Sequence, residues 1–326
     1  MNDQKNVIIA VLASALIFAG WHFFFEAPRA ERIEAEIRQE QALKEEAQPQ
    51  DLLQADSVKA DVPQSRNDVV SSSQRISIET PSLKGSIRLQ GARIDDLTLK
   101  NYRVEQDPDS DQIILLSPSG SAESYFADFG WVCGDKSIKM PDSSTVWSAS
   151  SQNLTVDSPV TLSWNNGQGL TFIQEIAVDE DYLFTVKQSV QNASGNTVNL
   201  QSYGIVSRSG SHEGSGFAIL HEGPIGFLND SLEELDYSDV KDSKLHSYDS
   251  KGGWLGVTDK YWLTALIPAQ DLNIKANFRD AATAKGDRYQ ADYLSLSQAV
   301  ANGETYTQTS HLFAGAKVLD ILDMYE

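Results

Sequence analysis

The sequence predicts a mainly β protein: a large antiparallel β-sandwich carried by one N-terminal transmembrane helix and followed by a short C-terminal amphipathic helix. Three observations predict it. From Arg75 onward apolar residues alternate with polar ones, turn-forming residues interrupt those runs at short intervals, and helical patterns of a dozen residues are nearly absent. Many short strands separated by turns pack as a sandwich rather than as a doubly wound sheet with helices on both faces. A length of 326 residues allows one large β domain with appendages. A 40% hydrophobic and 22% charged composition excludes wholesale disorder, a collagen-like chain and a polytopic membrane protein.

The first appendage, residues 1–25, is a transmembrane signal anchor. Val7 to Phe25 reads VIIAVLASALIFAGWHFFF, 19 residues without Asp, Glu, Lys or Arg, and at about 1.5 Å per residue it spans most of a hydrocarbon core about 30 Å thick. A cleavable signal peptide has a shorter apolar region followed by small residues, whereas Trp21, His22 and Phe23 to Phe25 close this one as an interfacial aromatic belt would. Lys5 on one side against Arg29, Arg32, Arg38 and Lys44 on the other favours an outside N-terminus. A following domain of more than 200 residues escapes that rule, and the inside-negative potential drives its acidic charge outward, at about 2.3 kcal/mol per charge per 100 mV. The bulk of the chain is therefore expected in the periplasm of a Gram-negative cell.

Residues 26–73 read as a polar, partly helical or disordered tether. Glu26 to Asn101 contains no aromatic residue, whereas Tyr102 onward supplies most of the 12 Phe, 11 Tyr and 6 Trp. Ala30 to Ala47 is rich in Ala, Glu, Arg and Gln, an exposed helix with Pro28 in its first turn and Pro49 beyond its end. The Gln, Asp and Ser mixture up to Ser73 is too polar to offset its ordering entropy.

Residues 74–313 form the sandwich domain. Ile76 and Ile78, then Ile87, Leu89, Leu97 and Leu99, and later Phe184, Val186 and Val190 keep a period of two, so each set faces one way along a strand. Turns are expected at Asn165-Asn166-Gly167, Asp179-Glu180-Asp181, Asn192 to Asn196, Gly252-Gly253, Lys285-Gly286-Asp287 and Asn302-Gly303. Residues 314–326 begin an amphipathic interfacial helix, with Val318, Leu319, Ile321, Leu322 and Tyr325 opposite Asp320 and Asp323.

The chemistry of the sequence is sparse. A formal charge of −20 repels phosphate backbones, so nucleic acid is not an expected partner. The single Cys133 excludes an intramolecular disulfide and any multi-cysteine zinc site, and is expected buried. Gly210 to Gly214 reads GSHEG, with His212 where a nucleophile elbow would have serine, and no phosphate loop occurs. Asp107, Asp109 and Asp111 begin like a calcium loop, but Gln112 and Pro118 stand where glycine and a bidentate glutamate belong. His212, His221, His246 and His311 are scattered, although a sheet could bring one of them to Glu213 or Glu222. Trp147, Trp164, Trp254 and Trp262 read as core before they read as sugar platforms, and the acidic stretch Asn229 to Asp249 as solvated loop before docking site. No catalytic residue, cofactor or metal is expected.

Four segments in order carry a family resemblance: MNDQKNVIIAVLASALIFAGW at the start, Thr80 to Tyr102, the GGWLGVTDKYWLTALIPAQD of Gly252 to Asp271, and HLFAGAKVLDILDMYE from His311. Together they resemble the YidC/Oxa family of membrane protein insertases in its Gram-negative form. The resemblance implies a periplasmic β-super-sandwich, similar to galactose mutarotase folds, hung between the first two membrane helices of an inner-membrane insertase and chaperone. It also implies no bond-making activity, and as partners the lipid bilayer, nascent membrane-protein clients and the Sec translocon with its accessory subunits. The family's core of five further membrane helices holds a groove with a key basic residue. No position here matches that residue, and a second apolar run of 18 residues is absent, so the chain is expected to be either the front part of an insertase or a stand-alone adaptor. One anchor helix cannot build a sheltered hydrophilic groove, which leaves the sandwich an accessory role. The alternative is a membrane-anchored mutarotase-like carbohydrate-active or carbohydrate-binding protein, which requires His212 or His221 within reach of a cleft carboxylate.

Overall fold

The fold is that of a computed structural model, which describes residues 64–210, 221–282 and 286–323; the expected membrane run Val7–Phe25, most of the tether, His212, Glu213 and Tyr325 lie outside them. Among the described residues, alternating sequence becomes strand wherever one face can be buried. In β9 (Leu170–Val178) Leu170, Phe172, Gln174, Ile176 and Val178 are buried while the residues between are half-exposed, the period-two signature of a strand on a core. β10 (Leu183–Asn192) repeats it with Phe184, Val186, Gln188 and Val190.

Two sheets result. The larger runs in the order β14 (Leu245–Lys251), β17 (Asn273–Asp280), β18 (Arg288–Ser295), β11 (Val198–Ser209), β5 (Tyr125–Val132), β3 (Arg93–Arg103), β2 (Leu83–Arg88), β1 (Arg75–Glu79) and β7 (Asn153–Leu154), with β4 (Gln112–Leu116) on β3 and β19 (Gln298–Val300) on β11. The smaller runs β13 (Ser231–Glu234), β12 (Gly223–Leu228), β15 (Trp254–Thr258), β16 (Trp262–Ile267), β20 (Thr305–Ala316), β10, β9, β8 (Val160–Asn165) and β6 (Ser148–Ala149). Pairing is antiparallel throughout except between β1 and β7. Among the described residues, expected turns fall between strands: Asn166 and Gly167 join β8 to β9, and Gly252 and Gly253, with φ of +64° and +84°, join β14 to β15. That left-handed backbone suits glycine and strains other residues.

The core lies between the sheets. Trp131, Phe172, Phe184, Phe278, Phe313 and Tyr293 are its largest fully buried side chains. Two glutamines interrupt it: Gln174 and Gln188 reach from the smaller sheet to β5, donating to the carbonyls of Phe129 (2.8 Å) and Gly130 (2.9 Å). Each supplies a donor that a hydrophobic residue there could not.

The last residues of the tether are helical, and the C-terminal boundary differs from expectation. The tether expected to reach Ser73 carries a helix, α1 (Arg66–Ser71), which starts because the Ser65 side chain accepts from the Asp68 amide, and Arg66 ties it to the sheet through an ion pair with Asp96. At the other end, residues 314–316 extend β20, because Ala314 to Ala316 pair with Trp262 to Thr264. Helix α3 (Leu319–Asp323) therefore starts only at Leu319. Between them, α2 (Tyr237–Ser243) occupies part of the acidic stretch, started by an Asp236–Asp239 capping box.

Candidate functional site

The larger sheet has a second face, turned away from the core. On β5 the alternation sends Phe126, Asp128 and Val132 there, and the register places Ser207, Ile205 and Tyr203 of β11 beside Phe126, Asp128 and Gly130. Leu294, Asp292 and Gln290 of β18 come next, then Asn277 and Arg279 of β17. Phe126, Val132, Ile205 and Leu294, with Tyr203, form an apolar cluster separate from the main core. A β-bulge at Ser86–Ile87 places Asp95 and Asp96 together on this face, because the extra residue breaks the alternation.

Three buried arginine–aspartate pairs lie across it. Arg75 pairs with Asp95. Arg93 donates to Asp128 from Nη2 (2.7 Å) and Nε (3.1 Å), with its guanidinium 4.1 Å from the Phe126 ring centre. Asp292 accepts from Arg279 Nη2 (2.9 Å), Asn277 (2.9 Å) and Gln290 (2.8 Å). Burial pushes the Asp95 carboxyl up to about 6, against the opposite pull of Arg75, Arg93 and Arg88. Burial likewise raises Asp292 against Arg279. For Arg93, burial disfavours the charge and Asp128 more than restores it. Each arginine of these three pairs has its anion, while Arg88 beside them donates to the Gln90 side chain, so this face offers polar edges and an apolar patch.

At one end of the sandwich a groove of about 540 Å³ opens between β4, the end of β11 and the β15–β16 turn. Its polar floor is Arg208, whose Nη1 lies 2.6 Å from Asp259 and 3.4 Å from the Tyr237 hydroxyl. Burial opposes the Arg208 charge, but Tyr237, Asp259 and Tyr125 together raise its pKa, and burial pushes Tyr237 up to about 12. Ile113, Ile114 and Trp262 form its walls.

The described histidines are not brought to a carboxylate. His221 bonds the Pro224 carbonyl, His246 the Asp239 carbonyl and His311 the Thr185 hydroxyl, and burial lowers the pKa of His311. The pairing that the carbohydrate alternative requires of His221 is not made, and His212 lies outside the described residues. Among the described residues no group of His, Cys, Asp and Glu is arranged to hold a metal ion; Asp107 instead accepts from the Asp109 amide in an exposed turn. Cys133 is buried, which raises its pKa. Trp147 is buried, and Trp164, Trp254 and Trp262 pack against the core. Val318, Ile321 and Leu322 also pack against it, while Leu319 is 75% exposed. Among the described residues no helix is long and apolar enough to cross a membrane. The arginine–aspartate pairs were not singled out from sequence, because Arg93 and Asp128, or Arg208 and Asp259, meet only through sheet order.

Comparison with known proteins decides what this scaffold is. The profile of the YidC periplasmic domain matches residues 75–326. The chain belongs to the YidC family. The membrane protein insertases YidC of Rickettsia bellii and Rickettsia canadensis are 38% and 40% identical to it over its whole length. The chain spans 57% of each of those relatives. Among solved structures, a galactose mutarotase related enzyme from Lactobacillus acidophilus superposes with a TM-score of 0.50 at 10% identity, covering 75% of this chain and 98% of that one. At that identity the likeness is one of fold, and it bears out the mutarotase-like sandwich expected of a YidC periplasmic domain.

Proposed function

We propose that this chain is the anchor and periplasmic accessory domain of an inner-membrane insertase and chaperone that assists insertion and folding of integral membrane proteins, alone or beside the Sec translocon. The observation that carries the reading is whole-chain identity of 38–40% to membrane protein insertases, including the apolar run Val7–Phe25. The physical argument agrees. Moving polar backbone into hydrocarbon requires a sheltered groove within the bilayer, so the sandwich acts as a spacer, a docking surface or a client-holding platform. Its buried arginine–aspartate pairs are held by one another, which suits a structural or binding role.

The reading places residues 1–25 across the inner membrane, residues 26–73 as the tether and the sandwich in the periplasm. Depleting the gene product that carries this chain should leave newly made multispanning proteins sensitive to carbonate extraction, and restoring it should reverse that. Normal insertion after depletion would overturn the proposal. A fusion of alkaline phosphatase after Ala316 should be active, and an inactive fusion would reverse the orientation.

A further inference from the structure

Exposed apolar side chains gather at the groove end of the sandwich. Val104 (63% exposed) and Ile114 (51%) belong to the β3–β4 hairpin, and Tyr261 (57%) to the β15–β16 turn. All three line the groove, beside Trp262 and Lys260. Lys260 Nζ lies 5.1 Å from the Tyr261 ring centre, and the Tyr261 ring meets Trp262 edge-on at 6.1 Å. Trp262 in turn packs on Tyr102 at 5.1 Å. Leu319, 75% exposed, follows Lys317, whose amide donates to the Tyr261 carbonyl (2.9 Å). Asp259 accepting from Arg208 and donating its amide to the Trp262 carbonyl (2.8 Å) fixes the turn that presents this Lys-Tyr-Trp sequence.

Aliphatic tips, a Tyr–Trp pair and an adjacent lysine make up the composition of a membrane–water interface. The Gln64 amide donates to Gly120 in the turn leading to β5, whose first residue, Tyr125, lines the groove. Electrostatic attraction to anionic lipid is not the force, since the chain carries −20. What remains is insertion of apolar and aromatic tips among headgroups.

We infer that the groove end, through Val104, Ile114, Tyr261 and Leu319, rests in the interfacial layer of the phospholipid bilayer, so that the domain lies against the membrane instead of standing off on its tether. The inference rests on the membrane reading above and adds an orientation to it.

The test uses the full 326-residue chain with Cys133→Ser, reconstituted in phosphatidylcholine vesicles, and single cysteines carrying an environment-sensitive fluorophore at Ile114→Cys, Tyr261→Cys or Leu319→Cys. Leu296→Cys is the control, because Leu296 is 63% exposed but lies beside β19, which pairs with the opposite end of β11. Ala13→Cys reports on the anchor. Headgroup-level spin-labelled lipid should quench the three patch positions about twofold or more and leave position 296 unchanged, as insertion to a depth of about 5–10 Å requires. If position 13 is quenched by chain-labelled lipid and the patch is not quenched at all, the inference is overturned while the anchor stands. If neither is quenched, both fall. Quenching that appears only when anionic lipid is added would overturn insertion by apolar tips. Shielding of the patch from aqueous iodide without lipid quenching would assign it to a protein partner instead, which also overturns the inference.

Discussion

The two faces of β5 close in opposite ways. Tyr125, Ala127, Phe129 and Trp131 point into the hydrocarbon layer between the sheets, and Phe126, Asp128 and Val132 point into a layer of ion pairs with a small apolar cluster. Eight consecutive residues are buried, so the strand is dry on both sides. Burying hydrocarbon stabilises by roughly 25 cal/mol per Å². Burying a charge pair costs desolvation that mutual attraction often only just offsets. One face therefore supplies stability, and the other fixes a pattern of donors and acceptors at little net gain.

The largest effect that tests this contrast belongs to the core. Phe184→Ala, at a fully buried position, should cost about 3–5 kcal/mol in denaturant unfolding. A cost under about 1 kcal/mol would mean that the core is loosely packed. On the opposite face, Arg93→Met should also cost about 3 kcal/mol, since it strands a buried carboxylate. The double variant Arg93→Met, Asp128→Leu should recover most of that loss; equal or greater loss in the double would show that the pair itself stabilises.

The third test is of pH. The folded pKa of Asp95, about 6, lies above its ordinary value of 3.8, so the native state holds the proton more tightly. Its contribution is full below about pH 4 and is lost as pH rises through 6, by at most about 3 kcal/mol. Wild type should therefore lose stability relative to Asp95→Asn between those values, and parallel profiles would show that Arg75 cancels the burial. His311 acts in the other direction. Burial lowers its pKa, so its contribution is present above its ordinary pKa and declines as pH falls; His311→Gln should flatten the acid limb. The smallest effect is expected at Lys187 and Glu175, paired across β9 and β10 with side chains 47% and 44% exposed, where Lys187→Ala should change stability by about 0.5 kcal/mol or less.

Much of the architecture was legible because it is local. Period two at Ile76, Ile78, Phe184 and Val186, and turn chemistry at Asn166-Gly167 and Gly252-Gly253, each act within a few residues. Sheet order was not legible, because β11 lies between β5 and β18 through contacts many tens of residues apart. Gln174 and Gln188 look like solvent-facing breaks in their strands until β5 supplies carbonyls for them. The bulge that turns Asp95 and Asp96 to one face leaves no mark in composition. The terminal apolar residues show the limit of a helical pattern: periodicity named Val318, Leu319, Ile321 and Leu322 alike, and only packing separates exposed Leu319 from the other three.

The position of β20 has a mechanical consequence. It lies inside the smaller sheet, paired with β10 along Thr305–Phe313 and with β16 along His311–Ala316. Tension on the residues that follow Ala316 runs along the strand axis, and therefore loads both ladders in shear. Hydrogen bonds perpendicular to the pull must then yield together rather than one after another. A pull along β20 is thus borne by both ladders at once, where a peripheral strand such as β13, paired on one side to β12, would peel away.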